Sequence, residues 1–341
     1  MDDSFHKASW YKKLPDNSIQ CELCHHYCRI SPSNFGRCGV RFNQDGILYS
    51  LVAHKLIAKH IDPIEKKPLY HFYPGSKSYS IATMGCNMTC MHCQNFEISQ
   101  PPRNNMNDIK GKDVDPAKII NEAKSSHCKS IAYTYTEPTV FFETVFETAR
   151  LAREAGIKNC VITNGFLSEQ ALQDVAPFID AANVDLKAYS DGFYEKVCGA
   201  RLEPVLENIK AMIHMGIWVE VTTLLIPTLN DSPAEMESIA KFLLDIDPNI
   251  PWHISRFRPN HKLKHLPPTP IKTIRQCRKI GLNSGLQYVY SGNVPGDPGE
   301  STYCPKCGQV LIDRFGYAIH HYRIRDGKCQ YCGQTITGIG M

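Results

Sequence analysis

The strongest constraint on the fold is an alternation of β-rich and helical patterns that runs from residue 78 to residue 291. The β-rich segments lie at 78–83, 130–136, 159–163, 182–187, 218–226, 251–255 and 287–291. Helical patterns separate them, as at 116–127, 138–156 and 232–244. Repeated βα units of this kind predict a parallel sheet. We therefore expect an α/β protein built on a partial (β/α)6 barrel, with a doubly wound sheet as the alternative.

The 15 cysteines of this 341-residue chain are unevenly distributed. Three groups account for most of them: Cys21, Cys24, Cys28 and Cys38; Cys86, Cys90 and Cys93; and Cys304, Cys307, Cys329 and Cys332. The other four, Cys128, Cys160, Cys198 and Cys277, are expected to be small buried apolar residues. Neither a signal peptide nor a membrane span is apparent, so a cytoplasmic location is expected. In a reducing compartment this spacing predicts metal sites rather than disulfides.

The C-terminal group has the pattern C-x2-C-x21-C-x2-C within residues 299–341, which we expect to form a separate module. Two turns, each carrying two thiolates, can complete a tetrahedral four-thiolate site. Such a site stabilises a short segment that has too small a core to fold alone. The pattern predicts a zinc-ribbon-like module, and a rubredoxin-like iron is the alternative because the same thiolates bind either metal.

The N-terminal group has the pattern C-x2-C-x3-C-x9-C within residues 1–77, the second expected module. Four cysteines this close together predict a metal site. The spacing is irregular both for zinc and for an additional iron–sulfur cluster, and both alternatives stay open. His25 and His26 are less favoured as ligands.

The middle group, C-x3-C-x2-C, holds only three thiolates and opens the predicted core at residues 78–298. It directly follows the first β-rich segment, so it is expected at the carboxyl end of a strand, where βα proteins place active sites. An iron–sulfur cluster held by three cysteines leaves one iron without a protein ligand. An open coordination position of this kind makes a metal reactive.

Polar residues lie at, or just after, the ends of the later β-rich segments. They are Thr136 and Glu137 in YTEP, Asn164 in TNG, Asp185 and Lys187 in DLK, and His253 in WHIS. Any one of them could be a helix cap or a satisfied core residue. Their positions at successive strand ends favour a common site.

The middle motif resembles the cluster-binding motif of the radical SAM superfamily, except that His92 stands where most relatives have an aromatic residue. Further segments, among them CELCHHYCRI, TMGCNMTCMHCQN, NVDLKAY and YVYSGNVPGD, resemble the AmmeMemoRadiSam-system radical SAM proteins, relatives of pyruvate formate-lyase activating enzyme. The resemblance implies a partial TIM-like barrel of the radical SAM type. It also implies a [4Fe–4S] cluster on Cys86, Cys90 and Cys93, and S-adenosylmethionine (SAM) on the remaining iron. Reductive cleavage of SAM would give a 5′-deoxyadenosyl radical that abstracts hydrogen from a substrate.

The same resemblance implies roles for the polar residues. Thr136 and Glu137 would hold the SAM amino group, and Asn164 would reach its ribose or methionine part. Asp185 and Lys187 would also bind SAM, the aspartate with a monovalent cation. His253 would face the cofactor or the substrate.

Partners follow from the resemblance and from the charge. The family uses an electron donor of the flavodoxin or ferredoxin type and is associated with AMMECR-type and Memo-type proteins. The net charge of +4 is too small to predict nucleic-acid binding. Two alternative functions remain: activation of a glycyl-radical enzyme, and a non-catalytic adaptor with three zinc sites, in which His92 would be the fourth ligand of the middle group.

Overall fold

The computed structural model describes residues 6–100 and 108–341. Its first part consists of short strands: β1 (His6–Lys7), β2 (Tyr11–Lys13), β3 (Ile19–Cys21), β4 (Arg29–Ile30), β5 (Arg41–Gln44), β6 (Ile47–Ser50) and β7 (Lys55–Leu56). One three-stranded sheet has the order β1-β6-β5 and another the order β2-β3-β4, both antiparallel. The four N-terminal cysteines lie within and between these strands.

An eight-stranded sheet forms the centre of the molecule. Its strands are β8 (Ala58–Pro63), β9 (Lys77–Ala82), β11 (Ser130–Tyr133), β12 (Lys158–Thr163), β13 (Ala181–Asp185), β14 (Trp218–Leu225), β15 (Trp252–Arg256) and β16 (Val289–Gly292), and the short β10 (Lys112–Asp113) pairs with β7 outside it. The seven strands from β9 onward are parallel, whereas β8 is an antiparallel edge strand.

Helices connect successive parallel strands. They are α1 (Phe96–Ser99), α2 (Pro116–Ser125), α3 (Phe142–Glu154), α4 (Glu169–Val175), α5 (Asp191–Phe193), α6 (Glu203–His214), α7 (Pro233–Ile246) and α8 (Ile271–Asn283). Side chains cap several N-termini: Asp115 accepts a hydrogen bond from the Ala117 N–H, and Ser232 accepts one from the Glu235 N–H. These caps satisfy backbone donors that a helix leaves unpaired. Within the described part of the chain, no helix is long and apolar enough to cross a membrane.

The strand order confirms the predicted α/β fold with a mainly parallel sheet. From β9 to β16, each strand of this sheet pairs with the sheet strand that comes next in the chain, and the order never reverses. A doubly wound sheet needs such a reversal, so that alternative is wrong. The two edges, β8 and β16, are not paired with each other, and the barrel is therefore incomplete. The division at residues 77 and 298 stays a prediction, and β8, from the predicted first module, pairs with the core.

One strand ends earlier than its β-rich segment predicts. The segment 130–136 forms a strand only as far as Tyr133. Tyr135 has a positive φ of 63°, which a continuing strand does not allow, and the Thr136 N–H donates to the Thr134 carbonyl. The chain therefore turns at residues 134–136, and this turn presents polar groups at the end of the sheet.

A buried ion pair joins the N-terminal strands to helix α3. Both guanidinium Nη atoms of Arg41 donate to the Glu143 carboxylate, at 2.8 and 2.6 Å. The two side chains are only 2% and 3% exposed. Because burying either charge alone is costly, each ion keeps the other in place.

The C-terminal module contains β17 (Thr302–Tyr303), β18 (Val310–Phe315), β19 (Ala318–Tyr322), β20 (Ile324–Arg325) and β21 (Lys328–Cys329). Arg314 of β18 is buried and lies over the Tyr70 ring at 4.1 Å. It also donates to the Tyr70 carbonyl at 2.9 Å and to Thr302 Oγ1 at 2.8 Å. These contacts fix the module against the loop that precedes β9.

The four C-terminal cysteines form a compact ligand set. The sulfur atoms of Cys304, Cys307, Cys329 and Cys332 all lie within 4.8 Å of one another. The distance from Cys304 to Cys332 is 3.6 Å, and that from Cys307 to Cys329 is 3.8 Å. A tetrahedral site with metal–sulfur bonds of about 2.3 Å has sulfurs about 3.8 Å apart. The predicted four-thiolate metal site is therefore present, and it suits zinc and iron equally.

Cys307→Ala should loosen the C-terminal module, because the remaining three thiolates bind a metal more weakly. We expect the loss of about one metal ion per chain and faster proteolysis within residues 301–341, whereas the core stays folded. The matched control is Tyr331→Ala, which changes an exposed side chain between two ligands. Metal content and proteolysis rates equal to those of the wild type in Cys307→Ala would contradict a structural metal here.

Arg41→Met should lower the free energy of unfolding by about 3–5 kcal/mol, since it leaves the Glu143 carboxylate buried without a partner. The double variant Arg41→Met, Glu143→Met should recover most of that loss. Chemical denaturation of the single and double variants measures both effects. A single variant within about 0.5 kcal/mol of the wild type would show that this ion pair does not hold the two parts together.

Candidate functional site

A cavity of about 520 Å³ lies at the carboxyl ends of the parallel strands. Its size is typical of sites for small-molecule ligands. It is lined by all nine residues that the sequence indicates for the central site: Cys86, Cys90, Cys93, Thr136, Glu137, Asn164, Asp185, Lys187 and His253. The structure thus brings together residues that are up to 167 positions apart in the chain. Their individual roles toward SAM stay predictions.

The three middle cysteines lie on a loop that follows β9. The Thr89 N–H donates to the Cys198 carbonyl at 2.8 Å, and the Met91 N–H donates to the Val197 carbonyl at 2.9 Å. The Cys93 sulfur lies 3.1 Å from the Ser99 hydroxyl. These contacts hold the loop against the segment 197–198 and against the end of helix α1.

The middle cysteines are not arranged like the C-terminal four. No group of three or more potential metal ligands that includes Cys86, Cys90, Cys93 or His92 lies within 4.8 Å among the described residues. A single ion requires close sulfurs, whereas the thiolates of a cluster bind separate irons and stand farther apart. The donor set therefore fits a cluster with three protein ligands and does not fit zinc.

The charges around this loop also suit an anionic group. Although burial alone would lower the pKa of Lys187, the charges of Asp185, Cys90 and Cys198 hold it well above its usual value. A hydrogen bond from the Cys198 thiol lowers the pKa of Cys90 despite burial, and Lys187 adds to this effect. A buried cation beside a thiolate compensates part of the negative charge that three thiolates bring to a cluster.

Glu137 joins the ends of two neighbouring strands. Its Oε1 accepts hydrogen bonds from the Thr139 N–H at 3.1 Å, from the Thr139 hydroxyl at 2.7 Å and from the Thr163 hydroxyl at 2.8 Å. Its Oε2 accepts one from the Asn164 N–H at 2.8 Å. Burial raises the pKa of Glu137, and these donors act in the opposite direction. Four donors from the chain itself already engage the carboxylate, so its observed contacts order the loops.

Asn164 connects this arrangement to the cysteine loop. Its side-chain Nδ2 donates to the Asn87 side-chain oxygen at 2.7 Å and lies 3.8 Å from the Cys86 sulfur. Thr136 has a comparable position, and its hydroxyl donates to the Thr83 carbonyl at 2.8 Å. Both side chains therefore hold the cysteine loop against the ends of the next two strands.

Asp185 and Lys187 form an ion pair at the end of β13. The Lys187 Nζ lies 2.9 Å from Asp185 Oδ2. The lysine side chain is only 12% exposed, whereas that of the aspartate is 39% exposed. The aspartate therefore keeps an accessible oxygen toward the cavity, while the lysine extends beneath it to the cysteines.

His253 belongs to a buried network that the sequence analysis did not identify. Its Nε2 lies 2.7 Å from Glu220 Oε2, and both side chains are almost completely buried. Glu220 also accepts the N–H groups of Tyr70 and His71, at 2.9 and 2.8 Å. Although burial would raise the pKa of Glu220, its hydrogen bond and charge interaction with His253 hold it below the usual value. In the sequence, this network is indicated only by Glu220, a charged residue within the β-rich segment 218–226.

A second unpredicted group lies on the opposite side of the cavity. Lys67 donates to Asp62 at 2.7 Å, and the Tyr135 hydroxyl also donates to Asp62. Burial lowers the pKa of Lys67 to about 8, against the stabilising charge of the aspartate. Tyr317 of the C-terminal hairpin also lines the cavity. Both terminal parts of the chain therefore contribute to its wall.

Comparisons with known proteins agree with this site. The family model described as the Radical SAM superfamily matches residues 80–243. An uncharacterized protein of Methanocaldococcus jannaschii is 44% identical over 97% of this chain and 98% of its own length. A second protein of that organism, which carries the provisional name of a glycyl-radical enzyme activating enzyme, is 28% identical over 61% of this chain and 86% of its own. The pyruvate formate-lyase-activating enzyme of Clostridium pasteurianum is 22% identical over 48% of this chain and 67% of its own.

The solved structures give the same result for the fold. Streptococcus suis SuiB bound to S-adenosylmethionine superposes with a TM-score of 0.50 at 14% identity, over 67% of this chain and 53% of that one. At this identity the likeness concerns the fold alone. The matched family model and the two named relatives show that the chain is similar to the radical SAM superfamily and to the activating enzymes of glycyl-radical enzymes.

Proposed function

We propose that this protein is a radical SAM enzyme whose [4Fe–4S] cluster is held by Cys86, Cys90 and Cys93, with SAM and the substrate bound in the cavity beside them. The observation that carries this proposal is the incomplete ligand set. Three buried or half-buried cysteines line a cavity, and the motif C-x3-C-x2-C that carries them supplies only three thiolates. An open position on a metal is where a substrate or cofactor binds.

The [4Fe–4S] cluster that would bind here supplies one-electron reduction. When bound, a reduced [4Fe–4S] cluster provides one electron that cleaves SAM into methionine and a 5′-deoxyadenosyl radical. The chain's own residues hold and enclose the reactants. Asp185 lines the cavity from the end of β13 and His253 lines it from within β15, whereas Glu137 and Asn164 order loops that also line it. Fixed polar groups in an enclosed site reduce the reorganisation that a reaction requires.

The adaptor alternative has weaker support. A zinc site at the middle cysteines needs a fourth ligand, and His92 was the nearest candidate in the sequence. Its side chain is buried, and burial lowers its pKa to about 3. It does not join the cysteines in a compact ligand set among the described residues. An adaptor also has no need for a cavity of about 520 Å³ at the strand ends.

Activation of a glycyl-radical enzyme is the second candidate reaction. It is favoured by two relatives named as activating enzymes of this kind. In this version of the proposal, the substrate is a glycine in a partner protein and must enter the cavity as part of a loop. A small-molecule substrate fits the same cavity. An electron donor of the flavodoxin or ferredoxin type, and an association with AMMECR-type and Memo-type proteins, are further parts of this proposal.

Cys90→Ala should abolish SAM cleavage, because two thiolates cannot retain the cluster. The measurement is 5′-deoxyadenosine formed from SAM after anaerobic reconstitution with iron and sulfide and reduction with dithionite. Circular dichroism should be unchanged, since the large core does not depend on the cluster.

The control for this experiment is Cys160→Ala. Cys160 is completely buried in β12, outside the cavity lining, so the change removes a thiol without touching the site. We expect this variant to cleave SAM like the wild type. A fully reconstituted wild-type protein that forms no 5′-deoxyadenosine, or a Cys90→Ala variant that forms it normally, would refute the proposal.

Asp185→Asn should raise the KM for SAM by about 10- to 100-fold, because a charged hydrogen bond contributes about 1.5–3 kcal/mol. Asp180→Asn is the matched control. It lies just before β13, at the opposite end of the same strand, where its carboxylate pairs with Lys158 at 2.7 Å. Equal KM values for the two variants would show that Asp185 does not contact the cofactor.

A further inference from the structure

The four N-terminal cysteines share one buried pocket. Cys21, Cys24, Cys28 and Cys38 line it together with His26 and Arg41. The Cys21 N–H donates to the Cys28 carbonyl at 2.9 Å, which closes the turn that carries Cys24. Four cysteine sulfurs that share one buried pocket form a ligand set for a metal group.

The distances between these sulfurs distinguish a site for a single metal ion from a site for an iron–sulfur cluster. No three of the four N-terminal cysteines have sulfurs that all lie within 4.8 Å of one another. The C-terminal four satisfy this condition, and they serve as an internal reference for a single-ion site in the same chain. A tetrahedral ion needs its sulfurs about 3.8 Å apart. A [4Fe–4S] cluster binds each thiolate to a different iron, so its four sulfurs stand farther apart around a larger object.

Two buried donors line the same pocket and lack partners among the described residues. One is the Nε of Arg41, whose two Nη atoms bind Glu143, and the other is the side-chain Nδ2 of Asn87. An unpaired buried donor is costly and calls for an acceptor. Hydrogen bonds to cluster sulfurs are a common way to stabilise an anionic cluster.

The pocket adjoins the loop that carries Cys86. Gly85 has a φ of 101°, and a Cβ at this position would lie 2.7 Å from Val40 Cγ1 and 3.4 Å from the Cys38 carbonyl oxygen. The His26 ring nitrogen Nε2 lies 2.7 Å from the Asn87 carbonyl. The segment 85–87 therefore adjoins the N-terminal pocket, and Asn87 lines that pocket directly after Cys86 in the chain.

We propose that Cys21, Cys24, Cys28 and Cys38 hold a second [4Fe–4S] cluster next to the three-cysteine site. All four of its irons would have a protein ligand, so this cluster is closed and offers no position for a substrate. The inference concerns metal content alone. It does not depend on SAM cleavage at the middle cysteines, and the two proposals can fail separately.

The test uses the full-length triple variant Cys86→Ala, Cys90→Ala, Cys93→Ala, reconstituted anaerobically with iron and sulfide. We expect about four iron ions and about four acid-labile sulfides per chain from the N-terminal site, and an electron paramagnetic resonance signal of a reduced cluster after dithionite. Sulfide is the decisive measurement, because a metal ion held by the C-terminal cysteines alone binds no sulfide.

Adding Cys28→Ser to the triple variant should reduce the acid-labile sulfide per chain to less than half of the triple variant's value. Adding Cys128→Ser should leave this sulfide content unchanged. A triple variant with zinc and no sulfide, or with iron and no sulfide, would overturn the inference. If the triple variant is insoluble, the wild-type protein provides the same test, with about eight sulfides per chain expected and about four contradicting the second cluster. Loss of SAM cleavage in a wild-type protein with about eight sulfides would refute the proposed function and leave this inference standing.

Discussion

The polarity of the parallel sheet is the constraint on which the rest of the molecule depends. A parallel strand can follow its neighbour only after a crossover that returns the chain to the same end of the sheet. The chain makes six such crossovers between β9 and β16. Every loop that leaves one of the parallel strands β9 to β15 of this sheet therefore starts at the same end of the sheet, where the carboxyl ends of the strands lie. Residues far apart in the sequence meet there for this reason. The cysteine loop is the first of these segments, and the cavity is the space that the later ones enclose.

Buried carboxylates also fix segments that line the cavity. Glu137 binds backbone and hydroxyl groups from the ends of β11 and β12, and Glu220 binds two backbone N–H groups of the loop before β9 together with His253. A carboxylate loses much of its hydration when it is buried, so it is stable only where several donors replace the water. Hydrogen bonds within the chain meet this requirement at both carboxylates. The site is thus positioned by polar contacts within the protein as well as by apolar packing.

Much of this organisation could be predicted from local sequence. The parallel strands lie within a few residues of their predicted positions because β-rich runs and helix caps are local signals. Most of the cavity residues could be named because they lie at or just after strand ends, and parallel strands end together. The prediction that His253 lies at a strand end was wrong, because it is the second residue of β15. Glu220 was missed because its partners Tyr70 and His71 are about 150 positions away in the chain. The engagement of Glu137 by four neighbouring donors was equally hidden, since it depends on how two loops fold together.

The central claim is that one iron beside Cys86, Cys90 and Cys93 has no protein ligand and is available to SAM. Electron–nuclear double resonance on the reduced wild-type protein, with SAM labelled with ¹⁵N at its amino group, tests this most directly. If SAM binds this iron, the spectrum contains a ¹⁵N coupling that is replaced by a ¹⁴N coupling when unlabelled SAM is substituted and that is absent in Cys90→Ala. A fully loaded, reduced cluster that shows no such coupling at saturating SAM would contradict it.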